Sequence, residues 1–323
     1  MDFRLTTPVA FIVFNRPETT IRVFEQIRKA KPETLLLIAD GPRPNKKGEY
    51  EKCREVKKIV DNIDWECKVL KNYSDINLGC KKRISSGLQW VFENVEEAII
   101  LEDDCLPNPT FFRFCQEMLE KYRSEDRIMH ISGTNVHLNP DPTDNSYYFS
   151  KYPHVWGWAT WKRAFQNYDV DMRDWPEHRG YKLLNEIISD AWYRKYLVDV
   201  LDDIYKGYVD TWDYQWNYAI WKKKGLCVSP NRNLISNIGF GAGATHTPKK
   251  NIFADRETYN LLFPLVHPRG INADPDKDRA EDILNRADWK YKYLPYSVFK
   301  GLKTTRRIRS EERRVGKECR SRW

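Results

Sequence analysis

The sequence predicts an α/β fold with a parallel β-sheet. In the first hundred residues, short apolar runs rich in β-forming side chains begin about every thirty residues, and helical patterns lie between them. The four runs are residues 9–14, 35–39, 68–70 and 98–101. A helix between two strands brings the chain back to the end of the sheet where the first strand began. This order is therefore typical of βαβ units with parallel strands.

Amphipathic helices are expected between these strands. The third has the clearest pattern, because apolar residues recur at spacings of i, i+4, i+7, i+8 and i+11. These residues are Ile84, Leu88, Val91, Phe92 and Val95. Similar stripes occur in the first two connections, at residues 21–27 and 56–63.

The pattern continues past residue 101 and then changes. We expect a helix over 109–122, a strand over 128–131, a loop over 135–152, and further helices over 181–205 and 212–224. The loop leads into a segment that is unusually rich in tryptophan. The region after residue 249 is polar and weakly periodic, so no element is assigned there.

The last fifteen residues, 309–323, read RSEERRVGKECRSRW and resemble the in-frame translation of a sequencing adapter. We therefore set them aside from the functional interpretation. This tail holds six basic and three acidic residues, so its removal lowers the net charge from +8 to +5. A modest positive charge without a basic stripe argues against nucleic-acid binding.

Composition restricts the class of protein further. Of 323 residues, 41% are hydrophobic and 31% are charged, which excludes a disordered chain, a collagen-like chain and a bundle of membrane helices. The longest wholly apolar run, 9–14, has six residues, whereas a membrane-spanning helix needs about 20. Six cysteines outside the tail form no CxxC pair and follow no secretory leader, so we expect reduced thiols and a cytoplasmic protein.

Three acids in succession, Glu102, Asp103 and Asp104, stand at the carboxyl end of an apolar strand. Ligands of open parallel sheets bind at this end of the strands. Adjacent carboxylates repel one another, and a hard divalent cation that also binds phosphate oxygens would relieve the repulsion. A solvated acidic turn is the alternative interpretation.

Polar residues also follow two other predicted strands. Arg16 follows the first strand and Asp40 the second, so three strand ends should carry polar groups at one edge of the sheet. An arginine there can bind a phosphate or stack on a base, and a carboxylate can accept a hydrogen bond from a base or ribose. Both also occur in ordinary turn sequences, which is the alternative for each.

Lys81 and Lys82 stand at the start of the third helix, after a Leu-Gly turn. Their side chains, with the free N–H groups of a helix start, could bind a diphosphate. Two solvated lysines are the alternative. The chain has no GxGxxG or Walker sequence, which argues against NAD-type and P-loop sites.

The order of these motifs resembles the nucleotide-sugar half of GT-A fold glycosyltransferases, most nearly the N-acetylglucosaminyltransferase I type. The resemblance rests on LGCKKRISSGL before the third helix and LEDDCLPNPTFF after the fourth strand, and it covers about residues 8–122. More loosely, HVWGWATWKRAF, TWDYQW and GFGAGATH resemble motifs of bacterial relatives from polysaccharide gene clusters. The resemblance implies an α/β fold of the GT-A type, with a Rossmann-like mixed sheet flanked by helices.

On this basis we expect one GT-A domain with two halves. Residues 1–125 would bind the nucleotide sugar, and residues 126–250 would form the acceptor and catalytic half. Residues 251–308 would be a C-terminal extension, followed by the adapter-derived tail at 309–323.

The resemblance also implies roles for individual residues. In that family the last acid of the triplet, here Asp104, holds Mn²⁺, and the preceding acids, here Glu102 and Asp103, lie against the ribose and nearby polar groups. By position, Arg16 and Asp40 resemble the family's uridine contacts. These assignments favour a UDP-sugar donor with Mn²⁺ or Mg²⁺ as cofactor.

The acceptor half offers a base and a further metal ligand. Asp213 begins a predicted helix beside two tryptophans, and inverting transfer needs a carboxylate that takes the proton of the acceptor hydroxyl. Asp210 is the rival base, and a helix N-cap is the alternative for Asp213. His246 follows a glycine-rich segment, where this fold often supplies a metal ligand from a loop, and an ordinary loop histidine is the alternative.

The run 156–161, WGWATW, breaks the alternation of a strand with one buried face. We therefore expect some of its tryptophans to line a sugar pocket, since indole rings pack on the C–H faces of sugars. Packing in the core is the alternative.

Together these features predict a hexosyl- or N-acetylhexosaminyltransferase that moves one sugar per encounter, with inversion, in surface glycan or polysaccharide synthesis. The chain lacks a QxxRW element, which argues against a processive synthase. The acceptor would be a glycan or a lipid-linked molecule, and the basic residues in 300–307 could contact the inner face of the membrane. A nucleotidyltransferase, or a non-catalytic carbohydrate-binding protein using the Trp-rich region, is the alternative.

Overall fold

The computed structural model describes residues 3–137, 145–179, 181–240 and 253–286. Within these ranges the strands are β1 (Val9–Val13), β2 (Thr34–Ala39), β3 (Lys68–Tyr73), β4 (Glu97–Glu102), β5 (Cys105–Pro107), β6 (Ile128–Ser132), β7 (Tyr147–Ser150), β8 (Trp158–Trp161), β9 (Leu226–Pro230) and β10 (Ile235–Asn237). The helices are α1 (Pro17–Ala30), α2 (Glu49–Asp61), α3 (Cys80–Asn94), α4 (Thr110–Lys121), α5 (Lys162–Phe165), α6 (Trp175–His178), α7 (Tyr181–Ile187), α8 (Ala191–Tyr205), α9 (Asp213–Lys222) and α10 (Pro275–Arg286).

One mixed sheet contains strands from both expected halves, residues 1–125 and 126–250. Its strand order is β3-β2-β1-β4-β8-β6-β9-β7. The pairs among β1, β2, β3 and β4 are parallel, as is the pair of β6 with β9. β8 is antiparallel to both β4 and β6, and β7 is antiparallel to β9. The predicted α/β class, a Rossmann-like mixed sheet flanked by helices, is confirmed.

Helices cover both faces of β1, β2 and β4. In β1, Val9, Phe11 and Val13 belong to the core formed with α1 and α2, whereas Ala10 and Ile12 belong to the core formed with α3. A strand covered on both faces needs a continuous apolar run rather than an alternating one. This requirement explains why the runs at the start of the chain are good predictors of these strands.

The single helix expected over 181–205 is wrong, because the structure has two helices, α7 and α8. The side chain of Asp190 accepts hydrogen bonds from the backbone N–H groups of Trp192 and Tyr193, at 2.9 and 2.8 Å. Asp190 therefore caps the start of α8 and separates it from α7.

The sequence does not predict α10, because the region after residue 249 is polar and weakly periodic. The side of α10 that faces the sheet is acidic rather than apolar. Asp278 accepts a hydrogen bond from the Ser150 hydroxyl at 2.7 Å, the Tyr152 hydroxyl donates to Asp282, and Glu281 lies 3.2 Å from the His154 ring. Polar contacts rather than an apolar stripe thus attach this helix to the fold.

Among the described residues, no helix combines the length and the apolar character needed to cross a lipid bilayer.

Candidate active site

The carboxyl ends of β1, β2 and β4 meet at one edge of the sheet. β1 pairs in parallel with both neighbours, and the register places Val13 opposite Ala39 and Ile12 opposite Glu102. The polar residues that follow these strands therefore lie along the same edge, which we call the carboxyl rim.

Asp104 forms an ion pair with Arg16 at this rim. Its Oδ2 lies 2.7 Å from Arg16 Nη1, and each of the two side chains is 20% exposed. The backbone N–H of Ile238 donates to the Asp104 carbonyl at 2.8 Å, and a Cβ added at Gly239 would meet both members of the pair. The segment 237–240 thus lies directly against the ion pair.

Asp103 joins the turn after β4 to the end of β1. Its Oδ2 accepts a hydrogen bond from the backbone N–H of Phe14 at 3.0 Å, and the side chain is buried. Burial, followed by the charge of Asp104, raises the pKa of Asp103 to about 7, although Arg16 and the Phe14 bond oppose this shift. The structure therefore disfavours a second negative charge beside Asp104.

Glu102 lies in the same electrostatic environment. Burial and the negative charges of Asp104, Asp103 and Asp213 raise its pKa well above its usual range, and Arg16 opposes the shift. Three carboxylates thus share the rim with the single guanidinium that pairs with Asp104. An additional cation would stabilise their ionised forms.

The rim can hold a divalent cation only with help from other groups. Among the described residues, no three His, Cys, Asp or Glu side chains are arranged to hold a metal ion by themselves. Mg²⁺ sites commonly use one or two carboxylates and take their other ligands from water and substrate phosphates. Asp104 fits this type of site, because its carboxylate is partly exposed and has acidic neighbours.

Asp40, after β2, shapes the turn that precedes α3. Its carboxylate accepts hydrogen bonds from the backbone N–H groups of Gly41, Leu78 and Gly79, and from the Asn77 side chain, at 2.9–3.2 Å. Burial raises its pKa, and these N–H groups oppose the shift. The protein's own donors occupy the carboxylate, so a contact with a nucleobase would require them to rearrange.

The expectation of a free N–H group at Lys81 is wrong. This N–H donates to Asp210 Oδ1 at 3.0 Å, and the Lys81 ammonium lies 3.3 Å from Asp171 Oδ1. Asp210 therefore satisfies a backbone donor in the first turn of α3, where a phosphate was expected.

Asp213 is the first residue of α9 and lies near the acidic triplet, since its charge contributes to the raised pKa of Glu102. The N-cap position belongs to Trp212, so the interpretation of Asp213 as the N-cap is wrong. The Thr211 hydroxyl donates to the Asp213 carboxylate. Of the two candidate bases, Asp210 is bound to the first turn of α3 and Asp213 to the neighbouring Thr211.

Two features of the rim were missed in the sequence. Cys80 lies among the acids, and burial, followed by the charges of Glu102 and Asp210, raises the pKa of its thiol. A thiol held neutral is neither a nucleophile nor a metal ligand. The only sequence signal for Cys80 is its place at the start of α3.

The second missed feature is a polar group that holds the loop after β2. Glu49 accepts hydrogen bonds from the Arg43 guanidinium and, at 2.9 Å, from Asn15 Nδ2. The Arg43 guanidinium also lies 5.6 Å from the centre of the Phe14 ring. These contacts connect the residues after β1 to the start of α2.

In the aromatic run, Trp158 and Trp161 are buried in β8, which fits the alternative of core packing for these two residues. β8 has neighbours on both sides and is covered on both faces, which explains why its residues do not alternate in polarity. Trp156 is half-buried, and its ring lies 5.8 Å from that of Phe240 in an edge-to-face arrangement. Of this run, only Trp156 remains a candidate sugar contact.

His130 lies within this aromatic core. Its ring stacks on Trp158 at 5.1 Å, Nδ1 accepts a hydrogen bond from Trp216 Nε1 at 3.1 Å, and Nε2 donates to the His154 carbonyl at 3.1 Å. Burial lowers its pKa to about 3, so the ring is neutral. This histidine is structural.

His246 and the basic segment 300–307 lie outside the described residues. The same holds for most of the GFGAGATH motif. The described chain stops at residue 240, next to the Arg16–Asp104 pair, and begins again at 253.

No family model and no curated protein sequence matches this chain. Similar solved structures include a mannosyltransferase from Pyrobaculum calidifontis in complex with GDP-Man and Mn²⁺, with 12% identity, a TM-score of 0.35 and coverage of 52% of this chain and 49% of that chain. TarS from S. aureus has 10% identity, a TM-score of 0.33 and coverage of 51% of each chain. A 4-diphosphocytidyl-2C-methyl-D-erythritol synthase from Anaerococcus prevotii has 11% identity, a TM-score of 0.31 and coverage of 49% of this chain and 72% of that chain. This chain spans about half the length of the mannosyltransferase and of TarS.

Proposed function

We propose that this protein is a metal-dependent glycosyltransferase of the GT-A type that uses a nucleoside-diphosphate sugar. The observation that carries the proposal is the position of Asp104 and its two acidic neighbours at the carboxyl rim, with Asp213 nearby on α9. The sequence motifs favour a UDP-sugar and transfer of a hexose or an N-acetylhexosamine.

Asp104 would hold Mn²⁺ or Mg²⁺, and His246, seven residues beyond Gly239, would add a ligand. A bound cation neutralises the charge that accumulates on the departing diphosphate. Arg16 and Lys81 would contribute further positive charge to the same end of the donor. Glu102 and Asp103 would lie beside the ribose, with Asp40 holding the turn before α3.

Asp213 would act as the general base. Its carboxylate takes the proton of the acceptor hydroxyl while the hydroxyl oxygen bonds to the anomeric carbon of the sugar. The bond between that carbon and the diphosphate oxygen breaks, and its electron pair leaves with the nucleoside diphosphate. Attack on the face opposite the leaving group inverts the configuration.

Trp156 would contribute an aromatic face for a glycan or lipid-linked acceptor, because it is half-buried and packs against Phe240 beside the rim. Burial of Trp158 and Trp161 removes much of the surface that a carbohydrate-binding protein would need. This observation favours the enzyme over the non-catalytic alternative.

Product analysis tests the proposal directly. The full chain is incubated with Mn²⁺ and either a panel of UDP-sugars with glycan acceptors or UTP with sugar 1-phosphates, and the release of nucleoside diphosphate and of pyrophosphate is measured. Nucleoside diphosphate is the expected product, whereas pyrophosphate would identify a nucleotidyltransferase and overturn the proposal.

Matched variants assign the residues. Asp104→Asn and Asp213→Asn should each lower turnover by roughly a hundredfold or more while the protein remains folded. Asp126→Asn is the control, because that side chain is 95% exposed and precedes β6, at the opposite edge of the sheet. Full activity of Asp104→Asn would overturn the metal-binding role.

A further inference from the structure

The carboxylate that the proposed function gives to a metal is already bound by a cation of the protein. Arg16 Nη1 and Asp104 Oδ2 are 2.7 Å apart. A divalent cation binds a carboxylate oxygen at about 2.0–2.6 Å. A metal on the same carboxylate would therefore meet the positive charge of the guanidinium at short range.

The backbone of Arg16 is held by hydrogen bonds within the first turn of α1. Its carbonyl accepts hydrogen bonds from the Thr20 backbone N–H at 2.9 Å and from the Thr20 hydroxyl at 2.7 Å. These bonds fix Arg16 at the start of α1. Beyond this backbone the side chain is long, has several rotatable bonds and is 20% exposed.

The segment 237–240 lies over the ion pair. Gly239 is close enough that a Cβ at this position would lie 2.7 Å from Arg16 Nη1 and would also overlap the Asp104 carboxylate. Asn237 holds this segment, since its side chain accepts a hydrogen bond from the Gly239 backbone N–H at 2.9 Å. The backbone of this segment thus covers one side of the ion pair.

We infer that Arg16 is an internal counter-ion of Asp104 that competes with the divalent cation and is displaced when the cation binds. The inference rests on the proposed function. Once displaced from Asp104, the guanidinium can bind the anionic diphosphate of the donor, which provides a new partner for its charge. Metal and donor then bind cooperatively, because each stabilises the state in which Arg16 has left Asp104.

Mn²⁺ binding measured without catalysis tests this inference. The full chain is titrated with Mn²⁺ alone, and free Mn²⁺ is followed by electron paramagnetic resonance. Arg16→Met removes the competing charge, so it should bind Mn²⁺ about fivefold more tightly than the wild type. Arg16→Lys keeps a cation and should stay close to the wild type.

Arg43→Met is the matched control, because Arg43 lies at the same rim but pairs with Glu49. It should leave Mn²⁺ affinity unchanged. In a second titration with UDP present, UDP should tighten Mn²⁺ binding more for the wild type than for Arg16→Met. Circular dichroism establishes that each variant is folded.

The outcomes separate the two proposals. If the wild type binds Mn²⁺ and Arg16→Met binds it equally or more weakly, Arg16 does not compete and this inference is overturned while the metal site stands. If neither protein binds Mn²⁺, with or without UDP, both the metal role of Asp104 and this inference are overturned.

Discussion

Asp210, in the loop between α8 and α9, accepts a hydrogen bond from the backbone N–H of Lys81 at 3.0 Å. This bond joins the residues just before Asp213 to the first turn of α3. The nearby Gly79 has a φ of 80°, in the left-handed region that favours glycine, and a Cβ there would lie 3.2 Å from Asp210 Oδ2. One carboxylate thus connects the proposed nucleotide-binding and acceptor halves of the rim.

Removal of this carboxylate should weaken the fold and the activity together. Asp210→Ala leaves an N–H group in the first turn of α3 without its acceptor, which should lower the free energy of unfolding by about 1 kcal/mol. Turnover should fall as well, because the residues before Asp213 lose their attachment. Urea denaturation and the transfer assay measure the two effects. Asp210→Asn keeps an acceptor oxygen and should lose less, and equal losses in both variants would contradict this explanation.

The contribution of Asp103 to the stability of the metal-free protein should fall as pH rises from 3.8 to about 7. The folded state raises the pKa of Asp103 from 3.8 to about 7, so between these values the folded state holds a proton that the unfolded state has released. Asp103→Asn removes this ionisation but keeps an oxygen for the Phe14 N–H. Urea denaturation of both proteins across this range, without divalent cations, should show the variant gaining stability relative to the wild type as pH rises. Parallel profiles would contradict the assignment.

The buried hydrogen bonds of His130 should be necessary for stability. His130→Leu leaves the Trp216 indole N–H and the His154 carbonyl without partners inside the core. The expected loss is about 2–4 kcal/mol in the free energy of unfolding, measured by urea denaturation at neutral pH. His178→Leu is the control, because that side chain is 38% exposed, and it should change stability by less than about 0.5 kcal/mol. Similar small effects for both substitutions would show that the buried bonds contribute little.

A single methyl group at position 239 should disrupt the rim. In Gly239→Ala the added Cβ meets the Asp104 carboxylate and the Arg16 guanidinium, so both side chains must move. A displaced metal ligand should lower kcat/KM by roughly tenfold or more, while stability changes by about 1 kcal/mol, since the atoms it meets end flexible side chains. Gly270→Ala is the control, because its Cβ would meet only the Asn272 side chain, at 3.3 Å. Unchanged kcat/KM for Gly239→Ala would contradict the close approach.

Local periodicity was sufficient for the elements that form the first half of the sheet. The apolar runs at 9–14, 35–39 and 98–101 became β1, β2 and β4, because a strand covered on both faces must be apolar at nearly every position. The stripe from Ile84 to Phe92 became the buried side of α3, because a helix that packs on a sheet buries the residues that recur with its 3.6-residue repeat. These features are visible in the sequence because the burial that stabilises them follows the local repeat.

Helices held by polar contacts, and strands near the middle of the sheet that lack a regular pattern, were harder to predict from the sequence. α10 has an acidic inner side, so it carries no apolar stripe, and β8 lost its alternation because both of its faces are covered. The helix break at Asp190 depends on one side chain that caps α8, within a sequence that is otherwise periodic. In each case the contacts that determine the element are not recorded in its local hydrophobic repeat.

The chain by itself determined which residues stand at strand ends, and therefore which acids could meet at one rim. Tertiary structure decided which partners these acids have and how strongly burial raises their pKa values. It placed Arg16 on Asp104, bound Asp40 and Asp210 to the backbone around α3, and left Asp213 near Glu102. The reason is that ion pairing and desolvation depend on distances between residues far apart in the sequence, which the strand order and the packing of the helices establish.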